Sequence, residues 1–321
     1  MSRAQLTSTV EQNTGGAVAP VSGGKNFAAN GNFDFWQRGS SFTSNGNYSS
    51  DRWYIFDGTG YTVSPESTTI QDGSTYSYKI TQSSSGYCNI RQALESGMVN
   101  ALAGKTVTFS MYIRANSTFN AQVQIGILTN TSADTITGGT WTAQATNTVT
   151  PSTSGWTKAS VTYAVPSGTK GLAIQVAYTA VVPSGSITYY SQAQLEVGSI
   201  ATPFSRAGGT LQGELALCNY YFRVFGAGCI GINEASTALD YSFTFDGGGM
   251  RTAPALTLFS TSANNFNWGV GTTAYTITSI TGNTVTNKGG YLSLNTSNSG
   301  ISTAGKVVTL LTNNFAASAE L

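Results

Sequence analysis

Histidine is absent from this 321-residue chain. Its absence removes Ser–His and Cys–His nucleophile pairs, imidazole general bases and imidazole metal ligands together. Charge is scarce too: 15 Lys and Arg against 14 Asp and Glu, 9% of residues, where an ordinary soluble protein carries roughly 25%. With a net charge of +1 and no basic stripe, nothing grips a phosphate backbone, so no nucleic-acid partner is expected. The three cysteines, Cys88, Cys218 and Cys229, are odd in number and widely spaced, which suits neither a disulfide framework nor a zinc site. They read as small buried hydrophobes in a chain that folds in a reducing cytoplasm. No window reaches the ~18 apolar residues of a membrane span, and the opening MSRAQLTSTVEQNTGGAVAPV lacks a signal-peptide apolar run. The sequence thus predicts no membrane partner and no N-terminal secretion signal.

What the chain does have is 16 Tyr, 15 Phe and 5 Trp for building cores, and 37 Gly among abundant Ser, Thr and Asn for strands and turns. A length of 321 residues suggests two domains. A surface kept soluble by hydroxyls and amides suits both a long-lived extracellular particle and contact with neutral polyhydroxy ligands; it also suits plain filling of strand exteriors and loops.

Residues 1–25 show no periodicity and read either as an extended arm that orders against a partner or as a frayed terminus. From there to about residue 206 the pattern is all β. Within 102–115, Val107, Phe109, Met111 and Ile113 alternate with Thr108, Ser110, Tyr112 and Arg114, a half-buried strand. The segments 121–128, 156–165 and 171–178 repeat the rule. Turn clusters at 83–86, 137–139 and 183–185 separate them, and many short strands with regular turns mean a sandwich or barrel. A short linking helix is expected within 207–225: Thr210 is placed to cap it, and Leu211, Leu215, Cys218 and Phe222 share one face. Residues 226–321 resume β character, with strand candidates at 239–245, 255–259, 275–280 and 307–311. So small a domain buries little surface alone, and self-association is expected.

One block stands apart: Asn30-Gly-Asn-Phe-Asp-Phe-Trp-Gln-Arg-Gly39, followed by Ser50-Asp51-Arg52-Trp53. It concentrates tryptophan, phenylalanine, aspartate and arginine in a chain otherwise poor in charge. Taken in order with Gln194-Leu-Glu-Val-Gly198, Ala201-Thr-Pro-Phe204 and Glu214-Leu-Ala-Leu-Cys218 before Tyr220-Tyr221, it resembles a family of bacteriophage tail-fibre and related virion proteins. The likeness covers roughly 27–225. Segment 102–115, Gly155-Trp156 and 189–204 are similar to strands of jelly-roll carbohydrate-binding modules.

The resemblance implies an all-β chain: a jelly-roll β-sandwich at 26–206, the linking helix, then a second, smaller β-sandwich. It implies a virion surface protein, made in the host cytoplasm and anchored to other virion proteins through its N-terminal arm. The sandwiches would project for attachment to a host-surface glycan. A homotrimer is the expected assembly, since fibres need a symmetric axis and thin β domains need buried partners. A capsid decoration or tail component without glycan binding is the alternative, and a polysaccharide depolymerase a third. Modules of this kind hold a structural calcium, for which Asp34 and Glu196 occupy the matching strands; the other reading makes Asp34 a turn or salt-bridge partner of Arg52 and Glu196 a solvated strand-end acid. Sugar stacking needs exposed aromatic faces. Trp36, Trp53 and Trp156 alternate as core residues do, whereas Trp141 and Trp268 lie in turn-like settings and are the candidate platforms. No carboxylate pair suits glycoside hydrolysis, and no enzyme is expected.

Overall fold

The computed structural model describes residues 25–225, 230–235, 238–245, 249–258, 264–268, 272–275, 277–296, 307–310 and 315–321. The described residues are all β apart from two short helices. The first unit contains β1 (Asn47–Tyr48), β2 (Tyr54–Glu66), β3 (Ser77–Leu94), α1 (Ser96–Leu102), β4 (Thr106–Ala115), β5 (Val123–Asn130), β6 (Trp141–Val149), β7 (Thr157–Ala164), β8 (Gly171–Tyr178) and β9 (Ile187–Val197).

These strands form a sandwich whose two layers share one long hairpin. The first part of β3, Tyr78–Thr81, pairs with β9, and β4 and β7 follow outward. Its last part, Ile90–Leu94, pairs with β8, and β5 and β6 follow. β2 accompanies β3 through both layers. The Ser83–Gly86 segment, expected as a turn, lies inside β3 and is where the strand changes layer. Opposite it, Gly60 sits at φ +67°, and a Cβ on Gly86 would collide with the Thr59 carbonyl. Two glycines let the hairpin bend through a bulge at which the ladder skips residues 83–86 and then resumes. At the far edges, Asn147 of β6 donates to the Ser160 carbonyl of β7 at 2.8 Å.

The inward face expected for β4 is correct, with Val107, Phe109, Met111 and Ile113 fully buried, but Thr108 and Ser110 on the other face are buried too, so the strand is covered on both sides there and is not half-buried. The four apolar residues join Trp53, Tyr78, Ile90, Ile125, Ile174 and Leu195 in one core between the layers. The helix α1 carries no local N-cap; instead the Asp134 carboxylate, 38 positions away, accepts from Ser96 N at 2.8 Å and Ser96 Oγ at 2.7 Å.

The linking helix α2 runs Leu211–Tyr221, and Thr210 caps it by accepting from Gly213 N at 3.0 Å. Its buried face matches the expected one at Cys218 and at Phe222, which follows the helix, but not at the two leucines. Glu214, Leu217, Cys218 and Tyr221 point inward, while Leu211 and Leu215 are exposed. The reason is polar: the buried Glu214 carboxylate accepts from Gly208 N at 2.7 Å and from Asn30 N, and so turns the helix.

The second unit begins directly at the end of α2, inside the segment expected to be linker. It comprises β10 (Phe222–Phe225), β11 (Ile230–Ala235), β12 (Ala238–Thr244), β13 (Ala255–Leu258), β14 (Asn264–Trp268), β15 (Thr272–Tyr275), β16 (Ile277–Thr286), β17 (Gly289–Thr296), β18 (Val307–Leu310) and β19 (Phe315–Ser318). A small sheet, β10-β19-β13, faces a larger one, β15-β14-β18-β11-β12-β17-β16. Phe243, Phe245, Leu292, Leu294 and Phe315 fill the space between them, with Phe225 packed alongside.

Candidate functional site

The 30–53 block is a buried hub. Asn30 Nδ2 donates to Ser50 Oγ at 2.8 Å, Phe35 O at 2.9 Å and Asp51 O at 3.1 Å, and Asn30 O accepts from Trp53 Nε1 at 3.2 Å. Asn30, Phe33 and Arg52 all have positive φ, at 50°, 56° and 71°. Conformations of that kind cost on the order of 1–3 kcal/mol each and persist only where the surroundings over-determine them. Here they do. Arg52 donates to Ala93 O at 2.8 Å and to Glu320, and its guanidinium lies 3.6 Å from the Tyr221 ring centroid. Arg38 bridges Asp51 at 3.3 Å and Glu320 at 2.8 Å and lies 3.7 Å from the Phe222 ring centroid. Burial disfavours the Arg52 cation, but Glu320 together with Tyr221 and Tyr48 outweighs it and holds the guanidinium above its ordinary range. Burial pushes the Asp51 carboxyl up to about 6 against the pull of Arg38. Arg38, Asp51 and Arg52 are thus spent on one another, on neighbouring backbone and on the second unit, so this part of the block is a structural joint.

Asp34 pairs with Arg206 at 3.0 Å and not with Arg52, whose acid is Glu320. The other Asp34 oxygen, Oδ1, is buried and has no hydrogen-bond partner. Glu196 is buried, not solvated. Its Oε1 accepts from Gln194 Nε2 at 2.7 Å and Thr202 N at 2.8 Å, and its Oε2 from Thr202 Oγ1 at 2.6 Å. Burial would raise its pKa, yet the Thr202 and Gln194 bonds hold it below the carboxylate norm. Calcium takes six to eight oxygens. Both Glu196 oxygens are occupied, Asp34 has one free oxygen beside a cation, and no group of three potential ligands is found among the described residues. These two residues do not fit the ion.

Of the tryptophans, Trp53 is fully buried and Trp36 packs half-buried on the core. Trp156 is half-buried outside the core, its Nε1 donating to Ile70 O at 3.3 Å. Trp141 is half-buried in a cluster with Ile136, Phe56 and the terminal Leu321; its Nε1 donates to Ile136 O at 3.0 Å, and the Arg91 guanidinium lies 5.0 Å from its ring centroid. This is packing, not an open platform. Trp268 contributes backbone to β14; its side chain, like Cys229, lies outside the described residues. Cys88 and Cys218 are buried free thiols, as expected, and burial pushes both well up.

A groove that local sequence did not reveal runs where β5, β6 and β7 meet. It is open, encloses about 510 Å³, and is lined among others by Thr129, Asn130, Gln144, Tyr163, Thr169 and Lys170. Gln144 Nε2 donates to Thr129 Oγ1 at 2.9 Å, which fixes the amide across the strand pair. The lining includes no carboxylate. Its residues come from three strands and a turn, and no spacing in the sequence announces them.

No protein-family model matches the chain, and no curated protein matches it. Solved structures do resemble about half of it. The CBM22-1 xylan-binding domain from Paenibacillus barcinonensis Xyn10C is 12% identical, with 50% of this chain and 94% of that one covered and a TM-score of 0.35. TmCBM61 in complex with β-1,4-galactotriose is 14% identical, over 55% and 100% of the two chains, with a TM-score of 0.36. The enzymatically active domain of bacteriophage CBA120 tailspike protein 4 is 13% identical, over 54% of this chain and 22% of that one, with a TM-score of 0.37. The chain's own strand pairing defines its class: a jelly-roll β-sandwich joined by a helix to a smaller β-sandwich.

Proposed function

We propose that the protein is a fibre-type virion protein of a bacteriophage. Its N-terminal arm docks on other virion proteins, and its sandwiches project as a homotrimer to attach to host-surface glycans. The observation that carries the glycan reading is the open groove over β5, β6 and β7, dressed with hydroxyls, amides, one tyrosine and one lysine. Neutral amides and hydroxyls exchange water for sugar hydroxyls without desolvating a charge, and a tyrosine supplies an apolar face. Without a carboxylate pair in the groove, binding proceeds without hydrolysis. Single contacts of this kind are weak; linked copies raise avidity by roughly 10²–10⁴.

The test is binding of the purified full chain to host cells and to a glycan array, with Gln144→Ala and Tyr163→Ala as groove variants. The reading requires saturable attachment that the variants weaken. No binding together with tight association to particle faces overturns it in favour of a capsid decoration, and release of reducing sugar from host polysaccharide overturns the binding-only mechanism.

A further inference from the structure

A second cleft lies away from the groove, between the Trp36–Ser40 turn and the ends of β2 and the β2–β3 connection. It encloses about 430 Å³ and is lined by Asp34, Trp36, Gly39, Ser40, Pro65 and Tyr76. Trp36 is held rigidly: its Nε1 donates to Phe33 O at 2.8 Å, and its ring packs 5.4 Å from Tyr78 and 6.2 Å from Phe42. Tyr76 is half-buried on the other side, and its hydroxyl makes no hydrogen bond among the described residues. Pro65 adds an apolar wall.

The chemistry of the cleft follows from Asp34. Its side chain is 2% exposed, Oδ2 is taken by Arg206, and Oδ1 has no partner. A buried carboxylate oxygen without a donor costs more than an ordinary lost hydrogen bond, so the site favours a donor arriving from the cleft. Aromatic walls with a carboxylate would also suit an organic cation. Arg206 argues against that: its guanidinium at 3.0 Å neutralises Asp34, which leaves the cleft an acceptor without net negative charge. The matching ligand is uncharged, donates a hydroxyl and has an apolar face for the rings.

We propose that this cleft is a binding site for one neutral pyranose ring, stacked against Trp36 and Tyr76 and donating a hydroxyl to Asp34. The proposal rests on the glycan-binding reading above and adds a site and a ligand class to it.

Saturation-transfer NMR on the full chain with glucose, galactose, mannose and N-acetylglucosamine, and with tetramethylammonium as the cation probe, tests it. At least one sugar should bind saturably. Tyr76→Ala should weaken it about tenfold, the effect of losing one ring contact, and Tyr76→Phe should stay within about threefold. Asp34→Asn should also weaken binding: with Arg206 keeping the amide oxygen, the ligand meets an NH2 donor where it needs an acceptor. Thermal unfolding confirms that each variant is folded. No sugar binding, sugar binding undiminished in Tyr76→Ala, or binding of tetramethylammonium in place of sugar overturns the proposal. Host-cell attachment separates it from the broader function: attachment lost in the groove variants but intact in Tyr76→Ala, with no sugar in the cleft, removes this site and keeps the function. Sugar bound in the cleft of a chain that attaches to no cell keeps the site and removes the function.

Discussion

Arg52 and Glu320 stand 268 positions apart in the chain and form a buried ion pair, 3% and 6% exposed. Arg38 shares the same carboxylate at 2.8 Å, and Arg251 ties down the adjoining backbone through Ala319 O at 2.7 Å and Glu320 O at 2.9 Å. The end of the second unit is thereby fixed into the first unit's opening block. The strand carrying this end, β19, is the central strand of the small sheet, so the pair couples the stability of both units.

Removing one partner of such a pair leaves the other charge buried and unpaired, at a cost of roughly 3–5 kcal/mol. Glu320→Ala should therefore lower unfolding stability by about that much in denaturant titration. It should also expose the segment after β19 to limited proteolysis. An unchanged midpoint would mean that Arg38 and Arg52 find other partners.

Asp51 sets a pH dependence. Its carboxyl is raised to about 6 by burial, while in the unfolded chain it titrates near 3.9. Folding therefore takes up a proton between these values, so this contribution favours the fold below about pH 4 and is lost as pH rises through about 6. The stability of the natural chain relative to Asp51→Asn should fall between pH 4 and pH 7, by on the order of 3 kcal/mol. Unfolding midpoints measured across that range check the sign.

Gly31 is required by space. Its carbonyl accepts from Ala193 N at 2.8 Å, and a Cβ at this position would drive into the Ala193 carbonyl. Gly31→Ala must separate the block from β9, at a cost on the order of 3 kcal/mol. Gly97→Ala, where a Cβ meets nothing within 4 Å, is the control and should change the thermal midpoint little.

Glu214 seats α2 by accepting from Asn30 N and Gly208 N, and burial raises its pKa despite those bonds. Glu214→Ala strands two buried N–H donors, each costing about 1–3 kcal/mol. Amide exchange at Asn30 and Gly208 should accelerate well beyond the change in global stability. Leu215→Ala, on the exposed side, should leave both protected.

Much of the first sandwich was legible locally. The alternation at 107–113 placed a strand and its inward face, the 171–178 segment matches β8 end to end, and Thr210 caps α2 as its position implied. The misreadings share one cause, which is partners distant in sequence. Ser83–Gly86 looks like a turn because small polar residues suit turns, but it is a bulge inside β3, skipped by the β2 register and held by the bridge from Gly86 to Val182. The helix α1 went unread because its cap is Asp134. Leu211 and Leu215 promised a buried stripe until Glu214, claimed by Asn30 and Gly208, rotated the helix away from it.

Side-chain period and turn chemistry, which act over a few residues, thus dictated an all-β chain with a helix between two units, and the missing histidine removed imidazole chemistry from it. Which acid meets which arginine was settled by the fold. Arg52 found Glu320 and Asp34 found Arg206, because ion pairs form where topology brings charges together out of water. The same holds for the groove and the cleft: their linings are assembled from segments whose spacing in the chain carries no trace of their distance in space.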